Sequence, residues 1–204
     1  AQDALAPDAQ ADDLKELERK RGLTRIGEQP LSLLGAMLVR YRLAPEQTVS
    51  QAIAALQSDR RVAVAQPNYL FLLPQTAGGS GAAMSQYAID KLHLRTAHQI
   101  ATGTDVSVAV IDSLIDADHP DLKGAVSLQL NAFDAPLTTP HAHGTAVAGL
   151  IAARGGFVGA APGAKIIAIA AFAQSSADSP ASGTSWRIAR GLEWAVASGA
   201  RIVN

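Results

Sequence analysis

Two nearly uninterrupted apolar runs, 106–112 (VSVAVID) and 165–172 (KIIAIAAF), constrain this chain more than any other feature. A strand with one wet face alternates polar and apolar residues, whereas a continuous run of this kind must be covered on both faces. Between and after the runs lie a segment of small residues, 143–153, and a more polar one, 185–198, both of helical character, and another strand is expected to begin at 201–204. Strands alternating with helices in this order imply an α/β fold: a parallel sheet with helices on both faces.

The first third of the chain follows a different pattern. Leu14 and Leu17 stand among alternating charges, which predicts a short amphipathic helix over 12–21 that Gly22 can end. The stretch 33–43 (LLGAMLVRYRL) is strand-like, with Val39, Tyr41 and Leu43 alternating with Arg40 and Arg42. Pro45 suits a first helical turn, and Val49, Ile53 and Leu56 follow at helical spacing to about 58. A second strand-like stretch, 62–73 (VAVAQPNYLFLL), carries Pro67, which limits regular pairing to an edge or a break. Together these make a small α+β module. The expected layout is a flexible lead-in at 1–11, the small domain at 12–74, a linker at 75–86 marked by QTAGGSGAA, and the α/β part at 87–204.

Composition narrows the partners. Hydrophobic residues make up 48% of the 204, enough to bury a core. With 17 basic and 18 acidic residues the formal net charge is −1, which gives no field for gathering nucleic acid or a membrane surface. Cysteine is absent, so disulfides, thiolate metal sites and a cysteine nucleophile are excluded. No apolar run approaches the roughly 20 residues that span a bilayer.

Asp112 closes the first apolar run, at the sheet edge where open α/β folds collect catalytic groups. His143 opens a helical segment as His143-Gly144-Thr145. Alone, the acid reads more readily as a turn cap and the histidine as a structural hydrogen-bonder. Paired, they have a chemical use. An imidazole can take a proton from a serine hydroxyl only in one tautomer, and a buried carboxylate on its other nitrogen fixes that tautomer.

Four ordered segments carry a resemblance: Val110-Ile111-Asp112-Ser113, His119-Pro120-Asp121-Leu122, His143-Gly144-Thr145-Ala146-Val147-Ala148-Gly149 and Gly159-Ala160-Ala161-Pro162. They resemble the aspartate block, the HPDL element, the histidine block and the G-x-A-P element of the subtilisin-like serine proteases, the subtilases. The resemblance implies a subtilisin-like sheet, incomplete over 87–204, with Asp112 as orienting carboxylate and His143 as general base. It implies a serine endopeptidase acting on polypeptides, without cofactor, whose nucleophile lies beyond Asn204.

Residues 12–73 are similar to the subtilase propeptide, a ferredoxin-like module that assists folding and inhibits the enzyme through its C-terminal tail. The processing bond is then expected within 74–83, and a secreted or periplasmic location follows from the same resemblance. The chain's own propeptide and the C-terminal remainder of the protease become expected partners. The propeptide's usual first strand has no evident counterpart before Asp12. Ser182, Gly183 and Thr184 fall in a segment that flanks the substrate, where an edge can pair with an extended peptide.

Some residues depart from the pattern. Leu114 stands where the family triplet has glycine, and leucine resists positive φ and close backbone approach. Gly183-Thr184-Ser185 imitates the motif of the nucleophile, but Trp186-Arg187-Ile188-Ala189 follows it, which is the wrong context. Asp121 corresponds to a calcium ligand in many subtilases, yet 153–159 is short for the calcium loop, so no metal site is expected. His141 lies outside the motif. His93, His98 and His119 read as surface or packing residues, and Trp186 and Trp194 as core. Two rival readings stay open: a non-catalytic peptide-binding or inhibitory relative, and one fragment of a nicked protease completed by another chain.

Overall fold

The structure, a computed structural model, describes residues 2–5, 11–74, 86–176 and 179–204. It divides into two compact units, Ala1–Tyr69 and Leu70–Asn204.

In the first unit β1 (Gln2–Leu5) is followed by α1 (Ala11–Arg21), β2 (Thr24–Leu31), β3 (Ala36–Arg42), α2 (Val49–Gln57) and β4 (Val62–Gln66). The strands form an antiparallel sheet in the order β2-β3-β1-β4. Leu14 and Leu17 of α1, Leu56 of α2, and Val39, Tyr41, Val62 and Ala65 of the sheet make its core. A capping box starts α2: the Thr48 hydroxyl accepts the Gln51 N–H at 3.3 Å, and the Gln51 side chain accepts the Thr48 N–H at 3.0 Å.

Two strands were not foreseen here. Gln2–Leu5 falls in the expected flexible lead-in but occupies an inner position, paired with β3 on one side and β4 on the other. Backbone bonding on both sides holds a segment whose four side chains carry no strand signal. Strand β2 contains Gly27 and Pro30, which conceal it in the sequence, but it lies at the edge and is bulged near Gly27. An edge tolerates both residues.

The second unit contains β5 (Leu70–Leu72), α3 (Tyr87–Lys91), α4 (Leu94–His98), β6 (Ser107–Ser113), β7 (Val126–Asn131), α5 (Ala142–Ala152), β8 (Lys165–Ala173), β9 (Ser182–Thr184), α6 (Ser185–Ala197) and β10 (Ile202–Val203). Strands β10, β6 and β8 are parallel neighbours, and β7 runs parallel to β8. Strand β9 then pairs antiparallel with the end of β8, and β5 antiparallel with β9. The sheet is therefore mixed, where a parallel one was expected. The return over 174–181 is too short for the crossover that a parallel partner requires.

The two apolar runs are covered on both faces, as their continuity requires. Val108 and Val110 pack with Ile166, Ala168 and the Ala148 and Ala152 of α5. The alternate residues Ala109, Ile167 and Ile169 pack with Ala195 of α6. Pro67 breaks the stretch 62–73 into β4 in one sheet and β5 in the other. The division between units thus falls after Tyr69, ahead of the expected linker, whose residues 75–85 lie outside the described ones.

Fully buried Leu56 and largely exposed Leu33 give a matched test of this packing. In urea unfolding, Leu56→Ala is expected to destabilise the first unit by about 2–5 kcal/mol. Leu33→Ala should change it by less than about 0.5 kcal/mol.

Candidate active site

Strand β6 pairs regularly with β8 until its last step, where the register shifts between Asp112 and Ser113. Such an irregularity re-aims side chains at a strand end. Asp112, only 6% exposed, is left with three donors. The Ser113 N–H approaches Oδ1 at 2.6 Å, the Ser113 hydroxyl reaches it at 3.2 Å, and the His143 Nδ1 lies 2.8 Å from Oδ1 and 3.0 Å from Oδ2. A carboxylate so deeply buried needs such partners to offset its lost hydration.

His143 reaches this position because the start of α5 is held against the end of β6. The Gly144 N–H donates to the Ser113 hydroxyl at 2.9 Å, and the His141 N–H to the Leu114 carbonyl at 2.8 Å. Gly144 has no room for a side chain: a Cβ there would lie 2.5 Å from the Ser113 carbonyl oxygen and 2.9 Å from its hydroxyl. His141 caps the helix, its Nδ1 accepting the His143 N–H at 3.2 Å. Gly144, Ala148 and Ala152 form the buried stripe on which α5 lies against the sheet.

The chemistry follows from the hydrogen bonds. An ionised carboxylate only accepts, so the His143 Nδ1 carries the proton in the bond to Asp112. The lone pair is then on Nε2, in a ring that keeps 24% of its side-chain surface open. This imidazole is arranged to take a proton from an approaching hydroxyl, and the carboxylate stabilises the cation that forms.

Ser182, Gly183 and Thr184 make up β9, one edge of which is taken by β5 in the register Leu70↔Thr184, Phe71↔Gly183, Leu72↔Ser182. The Leu73 N–H extends this pairing to the Ala181 carbonyl at 2.8 Å, and Leu73 packs on the cluster of Ala132, Ala171, Phe172 and Ala181. Gly183 permits the close approach of β9 to β8, since a Cβ there would lie 2.8 Å from the Ala171 carbonyl oxygen. Ser185 opens α6 after the cap Thr184, and among the described residues the His143 ring bonds to Asp112 and to no serine.

Leu114 does not need glycine's freedom: among the described residues the non-glycine positions with positive φ are His93 and Asp105. Asp121 ties down the loop that follows α5. Its Oδ1 accepts the Phe157 N–H at 3.2 Å, its carbonyl accepts the Arg154 N–H at 2.9 Å, and Gly155 is pressed against the carboxylate. The Gln86 amide also clamps this loop, donating to the Val158 carbonyl at 2.8 Å and accepting its N–H at 3.1 Å. These hydrogen bonds hold the segment in place. His119 accepts the Asp121 N–H, and His98 contacts the Ala160 carbonyl. Trp186 is buried, and Trp194 packs beside the core.

The sequence reading missed Ser113 and His141. Ser113 ties Asp112 to Gly144, and His141 fixes the backbone of His143. The available signal was position alone: one follows the acid directly, the other stands at the N-cap.

Comparison with known proteins finds similar sequences and similar folds. The Subtilase family model matches residues 103–204, half of the chain. The Thermophilic serine proteinase of Bacillus sp. (strain AK1) is 30% identical over 92% of the chain and 47% of its own length. Fervidolysin of Fervidobacterium pennivorans is 41% identical over 51% of the chain and 16% of its own length, and Subtilisin E of Bacillus subtilis (strain 168) 38% identical over 58% and 31%. The chain therefore spans from 16% to 47% of the length of these relatives. Among solved structures, fervidolysin covers the whole chain with a TM-score of 0.70 at 24% identity, 35% of the fervidolysin chain being matched. The epidermin leader peptide processing protease of Staphylococcus aureus gives 0.69 at 16% identity, over the whole chain and 49% of its own. At these identities the two structures speak for the fold.

Gly144→Ala tests how tightly the helix start must approach. The added methyl forces α5 away from Ser113, and denaturant unfolding is expected to show a loss of about 1–3 kcal/mol in the second unit.

Proposed function

The chain belongs to the subtilase family, and on that premise we propose that it is the front part of a serine endopeptidase precursor, holding the Asp112–His143 half of a catalytic triad. The observation that carries this reading is the buried Asp112 carboxylate bonded to the His143 Nδ1. The nucleophilic serine is supplied from beyond Asn204. The chemistry is the same whether it arrives in the same chain or in a complementary fragment.

The reaction is acyl transfer. His143 Nε2 takes the proton of the serine hydroxyl as its oxygen attacks the peptide carbonyl, and Asp112 stabilises the imidazolium. The imidazolium then gives that proton to the leaving amine as the C–N bond breaks. A water molecule, deprotonated in the same way, releases the acid and restores the serine. Donors that stabilise the oxyanion are also supplied from outside these residues. Asp112 and His143 supply proton transfer and orientation.

The first unit, read as 12–74 in the sequence, is proposed as the propeptide. Its antiparallel order β2-β3-β1-β4, with one helix after β1 and one after β3, supports the ferredoxin-like reading. The pairing of β5 with Ser182–Thr184 supports both the substrate edge and an inhibitory tail that occupies it. An extended polypeptide substrate would take the same backbone bonds once the tail has left. The processing bond, expected within 74–83, falls almost entirely outside the described residues. No described helix is long and apolar enough to cross a membrane. A secreted or periplasmic location goes with the propeptide reading. The backbone of Leu114, which has no positive φ, supports the catalytic reading over that of a non-catalytic relative.

Full-length protein treated with a serine-directed fluorophosphonate is expected to label once its propeptide is removed, and His143→Ala to abolish both labelling and self-processing. Asp112→Asn should lower kcat by about 10⁴. Failure to label both the processed protein and a form freed of its propeptide would overturn the reading.

A further inference from the structure

Two histidines stand two residues apart at the start of α5, and the hydrogen bonds require opposite states of the same ring atom. The His143 Nδ1 carries a proton toward Asp112 Oδ1, 2.8 Å away. The His141 Nδ1 must be bare, because it accepts the His143 backbone N–H at 3.2 Å and so caps the helix. The His141 backbone is tied as well. Its N–H donates to the Leu114 carbonyl at 2.8 Å, and its carbonyl accepts the Thr145 hydroxyl at 3.1 Å, whose oxygen accepts the Asp116 N–H at 3.0 Å. His141 therefore joins the segment that follows Asp112 to the helix that carries His143. Protonation would undo its cap. An imidazolium has an N–H at both ring nitrogens and accepts nothing, so the His143 N–H would face a donor. A cation would also stand at the positive end of a helix.

A protonated ring has somewhere else to go. His141 is partly buried and lines an open cavity of about 590 Å³ whose walls also carry Asp116, His119 and Asp121, from the connection between β6 and β7. The two carboxylates there can receive a cation turned away from His143. On the other side of His141, residues 136–140 and 172–174 bring no titratable group. Within α5 the titratable neighbour is His143, itself bonded to Asp112. We propose that His141 is a positioning residue that gates the catalytic pair by pH: only its neutral ring holds the start of α5 where His143 meets Asp112. Histidine changes charge between about pH 5 and 8, the range in which a histidine base also titrates. Activity is then lost on acidification with two protons, where His143 alone would take one. This inference rests on the protease reading.

The test measures kcat/KM against pH in processed full-length protein for the native form, His141→Asn and His141→Ala. Asparagine keeps an oxygen that can cap the helix but does not titrate. On the acid side, log(kcat/KM) should approach a slope of about 2 in the native protein and about 1 in His141→Asn. At about pH 8, His141→Ala should lose about tenfold, and His141→Asn should recover most of that loss. Acid limbs that superimpose in the native protein and His141→Asn would overturn the gate, and this comparison decides even if His141→Ala fails to fold. Amide exchange followed by NMR reads the cap without turnover. Protection of the His143 N–H should fall as the His141 ring takes up its proton in the native protein, and persist in His141→Asn. Protection unchanged through that titration would overturn the gate and leave the protease reading intact. A protein that shows the change in protection but neither labels with fluorophosphonate nor cleaves would support the cap and overturn the protease reading.

Discussion

The close approach of the start of α5 to the end of β6 is the constraint on which the functional half of this molecule depends. A buried carboxylate is costly, by several kcal/mol even after relaxation, unless donors meet it. Here those donors are the Ser113 amide and hydroxyl and the His143 ring. The ring arrives only because Gly144 lets the helix start touch Ser113 and because His141 and the Leu114 carbonyl fix the preceding turn. Stability and chemistry share these contacts. The interactions that satisfy Asp112 also set the tautomer of His143.

The rest of the second unit serves as a frame for that contact. Continuous apolar strands allow helices on both faces, and the small-residue stripe of α5 brings one of them close. The short return after β8 leaves β9 running antiparallel to the end of β8. The other edge of β9 receives β5 through backbone bonds, which accept any sequence, while Leu73 enters an apolar seat. Loop 154–158 is held by Asp121 and Gln86 through direct hydrogen bonds.

Much of this was legible in the sequence, for physical reasons. The runs 106–112 and 165–172 declare a sheet covered on both faces because burial leaves no place for polar alternation. Asp112 and His143 were found because their spacing and neighbours match a known pattern. Pro67 marked the break at which one strand-like stretch divides between two sheets. The strands β1, β2 and β9 were obscure, since backbone pairing stabilises them more than side-chain pattern does. Ser113 and His141 act through individual hydrogen bonds, which leave no periodicity to read. Leu114 departs from the glycine of the family triplet, and its backbone does not take the positive φ that glycine favours.

The central claim is that Asp112 and His143 are already paired in this part of the chain, whatever supplies the serine. Proton NMR of the chain with ¹⁵N-labelled histidine tests it most directly. One strongly downfield imidazole N–H resonance, assigned to the His143 Nδ1 and slow to exchange with water, is expected. It should vanish in His143→Ala and move upfield in Asp112→Asn. A His143 ring with no protected N–H, or one whose resonance is indifferent to Asp112→Asn, would contradict the account.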